Sequence, residues 1–206
     1  MGIKPSDRDL ILQAAIEFIP TVGGSLSTLY FGGKQEKRLK RLENFFNELK
    51  EQIVSTQAEL ADVSLHDSDE LRLLMESLIE KVEVETREQK VRLLKEFLLT
   101  TLKYPVNSNF DVCEHFLDTL FAMSVLECEL LGFLSQDNKK IQIRQISKPN
   151  TSPYMVFAAI NKLRSYGFIE SRRGSFQLNG VQDENLDDII FVSELGVQFC
   201  EYVKIV

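Results

Sequence analysis

NTSPYMVFAAINKLRSYGFIE, residues 150–170, carries the local signals that decide the fold of the second half of the chain. Ser152 is a favourable N-cap, and Pro153 suits the first position of a helix. Apolar side chains then recur on one helical face, at Val156, Ala159, Ile160 and Leu163. Gly167 indicates that the helix ends after Tyr166. The pattern predicts an amphipathic helix with one face in a core.

Short apolar elements precede and follow this helix. Upstream, a run that ends at Lys148-Pro149-Asn150 predicts a first short helix, with Ile141, Ile143 and Ile146 as its apolar positions. Downstream, residues 168–171 and 175–178 alternate around Arg172-Arg173-Gly174, which predicts a hairpin. Residues 189–192 predict a third strand, and a last helix runs to about Val203. Helix-turn-helix, hairpin and closing helix together predict a winged helix.

Two motifs in this half resemble those of winged-helix regulators of the multiple-antibiotic-resistance (MarR) and phenolic-acid (PadR) types. INKLRSYGFIE (160–170) is similar to the end of that family's recognition helix. VSELGVQF (192–199) is similar to the motif that follows the family's wing. The resemblance covers about residues 109–206 and implies a homodimer that binds double-stranded DNA through the helix beginning at Ser152.

Basic residues cluster in this half, although the chain as a whole has a formal net charge of −7. Between Asn138 and Ser175 the only acid is Glu170. The basic residues of that window are Lys139, Lys140, Arg144, Lys148, Lys162, Arg164, Arg172 and Arg173. A basic strip on an acidic body is the pattern expected for contacts with phosphates.

The predicted DNA contacts form two groups. Tyr154 and Asn161 are expected to meet base edges. Phosphates are expected at Lys162, Arg164, Arg172, Arg173, Arg144 and Lys148. Two features favour a protein partner instead: the rather apolar character of the predicted reading face, with Tyr154, Met155 and Phe157, and the acidic segment 180–188. A winged helix that docks protein is therefore the alternative.

The sequence of the first half predicts helices. For the whole chain, the predicted fold class is mainly α, with a helical domain over residues 1–105 and a winged-helix domain over 106–206. A heptad-like stripe begins the first long helix, at Leu39, Leu42, Phe46, Leu49, Ile53, Thr56 and Leu60. It favours an intramolecular bundle helix over a coiled-coil dimer. A second helix spans about 68–103, and its polar middle, 83–90, is either a solvated helix or a kink. A third starts near Asn109 and continues to about Leu134.

The role of the helical domain stays open between dimerisation, signal reception and partner contact. Residues 11–31 carry a single charge, Glu17, over about the length of a bilayer span. Pro20 and the polar residues around it favour packing on the core over membrane contact. The alternative function is a protein- or membrane-interacting helical effector of the mobile-element or phage-conflict kind.

The sequence holds no catalytic, metal or cofactor signature. Its three cysteines lack C-x-x-C spacing, and no secretory signal is recognisable, so reduced thiols in a cytoplasmic protein are expected. The two histidines, His66 and His115, have no zinc-ligand spacing. These observations predict a protein that is not an enzyme and needs no cofactor.

Overall fold

The computed structural model describes residues 34–56, 60–61, 65, 67–104, 109–172 and 186–205. Within those ranges the protein is mainly helical, with seven α-helices and a three-stranded antiparallel sheet of order β1-β3-β2. The helices are α1 (Lys34–Thr56), α2 (Ser68–Val84), α3 (Glu88–Lys103), α4 (Phe110–Ala122), α5 (Val125–Ser135), α6 (Pro153–Ser165) and α7 (Glu194–Val203). The strands are β1 (Ile141–Gln142), β2 (Ile169–Arg172) and β3 (Ile189–Val192). Two compact units divide between Phe121 and Ala122.

The first unit is a helical bundle in which α1 packs against α2 and α3. The predicted stripe is buried at Leu42, Phe46, Leu49, Ile53 and Leu60, and Phe45 is buried beside it. The intramolecular alternative for α1 is therefore the one observed.

The polar stretch between α2 and α3 contains a break rather than a continuous helix. Glu85 lies in it with 4% of its surface exposed. Its carboxylate accepts the backbone N–H groups of Thr86 and Arg87, and also bonds the Arg87 guanidinium. Both amides belong to the residues just before the first residue of α3, Glu88. Glu85 thereby fixes the turn between α2 and α3.

The single helix predicted from Asn109 to about Leu134 is wrong, because α4 and α5 are separate. Ser124 accepts the backbone N–H of Glu127, and the Glu127 side chain accepts the backbone N–H of Ser124. This capping box is visible in the sequence as Ser-x-x-Glu. It ends one helical run and starts the next.

The compact units divide at the end of α4, whereas the domain boundary predicted from the sequence lies between residues 105 and 106. Two lysines connect the last turns of α4 to α2 and α3. Lys81 Nζ lies 2.9 Å from Asp118 Oδ1, and Lys90 Nζ donates to the carbonyl oxygen of Phe121 at 3.4 Å. These contacts, made by α4 within the first unit, explain why it belongs with the bundle.

The second unit is built from α5, the sheet, α6 and α7. Burial alternates along β3, with Ile190 and Val192 in the core and Ile189 and Phe191 half-buried, as expected for one covered face. The first short helix predicted around Ile141–Ile146 is corrected: β1 is followed by a single 3₁₀ turn, Ile143–Gln145.

The first predicted hairpin strand forms as β2, and the hairpin itself stays a prediction. β2 pairs with β3 in antiparallel register, from Ile169 opposite Val192 to Arg172 opposite Ile189. The second predicted hairpin strand, 175–178, lies outside the described residues, as do Arg173 and residues 11–31. The predicted third strand and closing helix are confirmed as β3 and α7.

Candidate functional site

Helix α6 forms as its sequence signals predict. Ser152 caps it by accepting the backbone N–H of Tyr154 at 3.3 Å, and Pro153 is its first residue. Its core face is buried, at Val156, Ala159, Ile160 and Leu163. Gly167 follows the helix with a φ of +79°, a left-handed conformation that glycine adopts without strain. The apolar face thus anchors α6 and leaves the opposite face outward.

The outward face of α6 begins with two large exposed side chains. Tyr154 exposes 77% of its surface and Met155 58%. Ala158, Asn161 and Ser165 continue the exposed face toward the end of the helix. The predicted readers Tyr154 and Asn161 therefore lie on one accessible face, which also presents an apolar residue at its start.

Four residues of the predicted basic strip are held in ion pairs. Arg144 Nε lies 2.6 Å from Asp187 Oδ1, and Arg164 Nη2 lies 3.0 Å from Asp188 Oδ2. Lys148 pairs with Glu129, and Lys162 Nζ is 3.8 Å from Glu127 Oε1. All four acids lie outside the window between Asn138 and Ser175, so the charge count of that window misses them.

Arg164 is the least accessible of the predicted phosphate contacts that the structure describes. Its side chain is 21% exposed, and that of its partner Asp188 is 14% exposed. Arg164 also donates to the Asn161 side chain at 3.2 Å. The guanidinium therefore ties α6 to the segment before β3 and orients Asn161, which lies one turn earlier on the helix.

Backbone hydrogen bonds also join the segment before β3 to the 3₁₀ turn. The N–H of Ile143 donates to the carbonyl oxygen of Asp188 at 3.1 Å, and that of Arg144 donates to Leu186 at 3.0 Å. These bonds continue the β1–β3 ladder beyond the strands. They place Asp187 beside Arg144.

Three basic residues of the strip lie against aromatic rings. Lys139 Nζ is 4.2 Å from the ring centroid of Phe133. Lys140 Nζ and Arg172 Cζ are each 5.5 Å from the ring centroid of Phe191. Cation–π contacts at exposed positions contribute about 0.5–1 kcal/mol each. They leave the positive charges accessible to an anion.

The described part of the second unit has no excess of positive charge. Residues 122–172 and 186–205 contain eight basic and eight acidic side chains, so their formal charge is zero. Tertiary folding therefore converts a basic window of sequence into a surface of mixed sign. The acidity of segment 180–188 is visible in the sequence, but the pairing of its Asp187 and Asp188 with Arg144 and Arg164 is not.

No group of three or more His, Cys, Asp or Glu side chains among the described residues is placed to hold a metal ion. Cys113, Cys128 and Cys200 are free and buried. Burial, chiefly, raises the pKa of Cys200 to about 12, which opposes thiolate chemistry there.

None of the described helices combines the length and apolar character that a bilayer span needs. Comparison of the chain with known protein families, with curated proteins and with solved structures finds no match.

Proposed function

We propose that the chain is a non-enzymatic winged-helix protein that binds double-stranded DNA through the outward face of α6, and that it acts as a transcriptional regulator. The order of elements supports the winged helix: α5, β1, a 3₁₀ turn, α6, β2, β3 and α7, with β3 in the centre of the sheet. The 3₁₀ turn Ile143–Gln145 takes the place of the first helix of the helix-turn-helix.

A single observation carries the DNA proposal: α6 has one face in the core and an opposite face that is exposed from Tyr154 to Ser165. An exposed helix on a small domain fits the major groove, where Asn161 can bond a base edge. Lys162 is exposed on the same helix and suits a phosphate.

The ion pairs of the basic strip reduce the positive charge that the strip offers to DNA, but they do not remove it. Arg144, Lys148 and Lys162 are each at least one-third exposed within their pairs. Pairs of exposed charges contribute only about 0–1 kcal/mol. Phosphates of DNA can therefore compete for these cations, while the more enclosed Arg164 keeps its structural partner.

Fluorescence anisotropy with a mixed-sequence duplex tests the proposal. For about four phosphate contacts, affinity is expected to fall roughly 100-fold between 50 and 200 mM salt. The double substitution Arg172→Ala/Arg173→Ala should weaken binding to all duplexes alike. A matched control is Lys37→Ala/Arg38→Ala, which removes two exposed charges from α1. Absence of binding at 50 mM salt would refute the proposal.

A second candidate, protein docking through the same helix, is favoured by one observation. Tyr154 and Met155 are the most exposed large apolar or aromatic residues of the second unit that are described. Such side chains are enriched in the centres of protein interfaces. This candidate predicts no DNA binding by the wild type and loss of a purified partner's binding in the Tyr154→Ser/Met155→Ser variant, with its fold retained.

A further inference from the structure

The outer face of the sheet is a second surface, on the side opposite to its buried face. Its residues form two rows across the strands, as the antiparallel registers show. The first row runs Lys140, Phe191, Glu170, where Lys140 extends the register of β1 by one residue. The second row runs Gln142, Ile189, Arg172.

The central strand carries the apolar part of this outer face. Ile189 and Phe191 are half-buried, whereas their neighbours Ile190 and Val192 point into the core. Side chains alternate between the two faces of a strand, so Ile189 and Phe191 share the outer face. They make an apolar ridge along β3.

The edges of the outer face carry opposite charges in the first row. Lys140 precedes β1, and Glu170 lies on β2, so the two are separated by the full width of the sheet, about 10 Å. Both side chains are exposed, and neither has an ion-pair partner within the described ranges. Four of the other cations of this unit, in contrast, are paired.

We propose that the outer face of the sheet binds the same face of a second copy of this chain. A two-fold axis parallel to β3, midway between two facing sheets, exchanges the positions of β1 and β2. Phe191 and Ile189 then meet their own copies along the centre. Lys140 meets Glu170 of the second copy on both sides, and Gln142 meets Arg172.

Self-complementarity of this kind is what a symmetric homodimer requires, because one patch must serve both partners. The middle strand supplies the apolar contact. The first row ends in groups of opposite charge, Lys140 and Glu170, and the second row ends in groups that can hydrogen-bond each other, Gln142 and Arg172. Lys140 and Arg172 lie beside Phe191 in the single chain. Their long, exposed side chains can turn from the ring to the facing copy.

The expected association is weak. Six residues cover less than the roughly 800 Å² per partner that stable complexes bury. A dissociation constant on the order of 100 µM is therefore expected. The proposal goes beyond DNA binding by α6 and does not depend on it.

Charge reversal gives a specific test by sedimentation velocity of the full chain at about 10–500 µM. Lys140→Glu creates two acid–acid contacts in the dimer, and Glu170→Lys creates two contacts between cations. Each variant alone should associate at least about fivefold more weakly than the wild type. An equimolar mixture of the two variants should recover association, because every contact between unlike chains is again of opposite sign.

Lys204→Glu, which reverses an exposed charge on α7's C-cap outside this face, is the control and should behave as the wild type. Circular dichroism confirms that each variant is folded. A wild type that is monomeric throughout the range would overturn the proposal. So would self-association that both single variants retain, or a mixture that stays as weak as its components.

Discussion

The hydroxyl of Ser193 donates to the carbonyl oxygen of Gly167 at 2.6 Å and so joins the two motifs of the second unit. The backbone N–H of Ser193 also donates to the carbonyl oxygen of Phe168 at 2.9 Å. The same hydroxyl accepts the N–H of Gly196 at 3.0 Å and caps α7. One buried serine therefore fixes the end of α6 relative to the start of α7.

Replacing Ser193 with alanine should lower the free energy of unfolding by about 1–3 kcal/mol, because it removes a helix cap and takes the hydroxyl donor from the part-buried hydrogen bond to the Gly167 carbonyl. Urea unfolding measures the change. Ser165→Ala, at an exposed hydroxyl that bonds only its own helix, is the control and should change stability by less than about 0.5 kcal/mol. Equal effects of the two substitutions would contradict the role of Ser193.

Gly196→Ala should be more damaging than Gly167→Ala. A Cβ on Gly196 would lie 2.3 Å from the carbonyl oxygen of Phe168 and 2.7 Å from Val192 Cγ1. The backbone must move to accept it, and a loss of about 3 kcal/mol or more is expected, as for an overpacked core. At Gly167 the Cβ has room, 3.4 Å from Leu195 Cδ2, and the cost is the positive φ, about 1 kcal/mol. Thermal unfolding of both variants tests this order.

The Glu85 carboxylate should make stability depend on acid pH. Burial alone raises its pKa, but the hydrogen bonds and charge of Arg87, with the Thr86 amide, more than offset this and lower the pKa from 4.5 to about 2. A lowered folded-state pKa gives stability that is present above pH 4.5 and is lost as the pH falls toward 2. The contribution is on the order of 2 kcal/mol.

Chemical denaturation of the wild type and of Glu85→Gln, at pH 7 and at pH 3, checks this expectation. The variant should be less stable at pH 7, and the difference should shrink at pH 3. Glu80→Gln, at an exposed carboxylate of α2, serves as the control. A difference that is the same at both pH values would show that the charge of Glu85 is not what stabilises the break.

Asp187→Asn should strengthen DNA binding if α6 and its neighbours contact phosphates. The substitution removes a negative charge and releases Arg144, which lies 2.6 Å away and is 55% exposed. One added phosphate contact would raise affinity a few-fold at low salt and steepen the salt dependence by about one unit of slope. Glu201→Gln, at an exposed acid of α7, is the control. Anisotropy titrations at several salt concentrations give both quantities.

Local chemistry made α6 predictable. Its cap at Ser152, the proline at Pro153 and the glycine at Gly167 act over a few residues, so they operate in almost any surroundings. The break at Glu85 was less predictable, because a run of polar residues is equally compatible with a continuous solvated helix. The burial of Glu85, which distinguishes the two, is not visible in the sequence. The join between α4 and α5 could have been found, since Ser124 and Glu127 spell out a capping box.

The sequence by itself determined the helical character of the protein, the limits of α6, β3 and α7, and the face that α6 turns to the core. Hydrophobic periodicity and the signals at helix ends depend on residues that are close in sequence, so they still apply when the chain folds. Only the tertiary structure decided the electrostatics of the second unit. Charges interact across space, and folding brings Glu127, Glu129, Asp187 and Asp188 from outside the basic window to four of its cations.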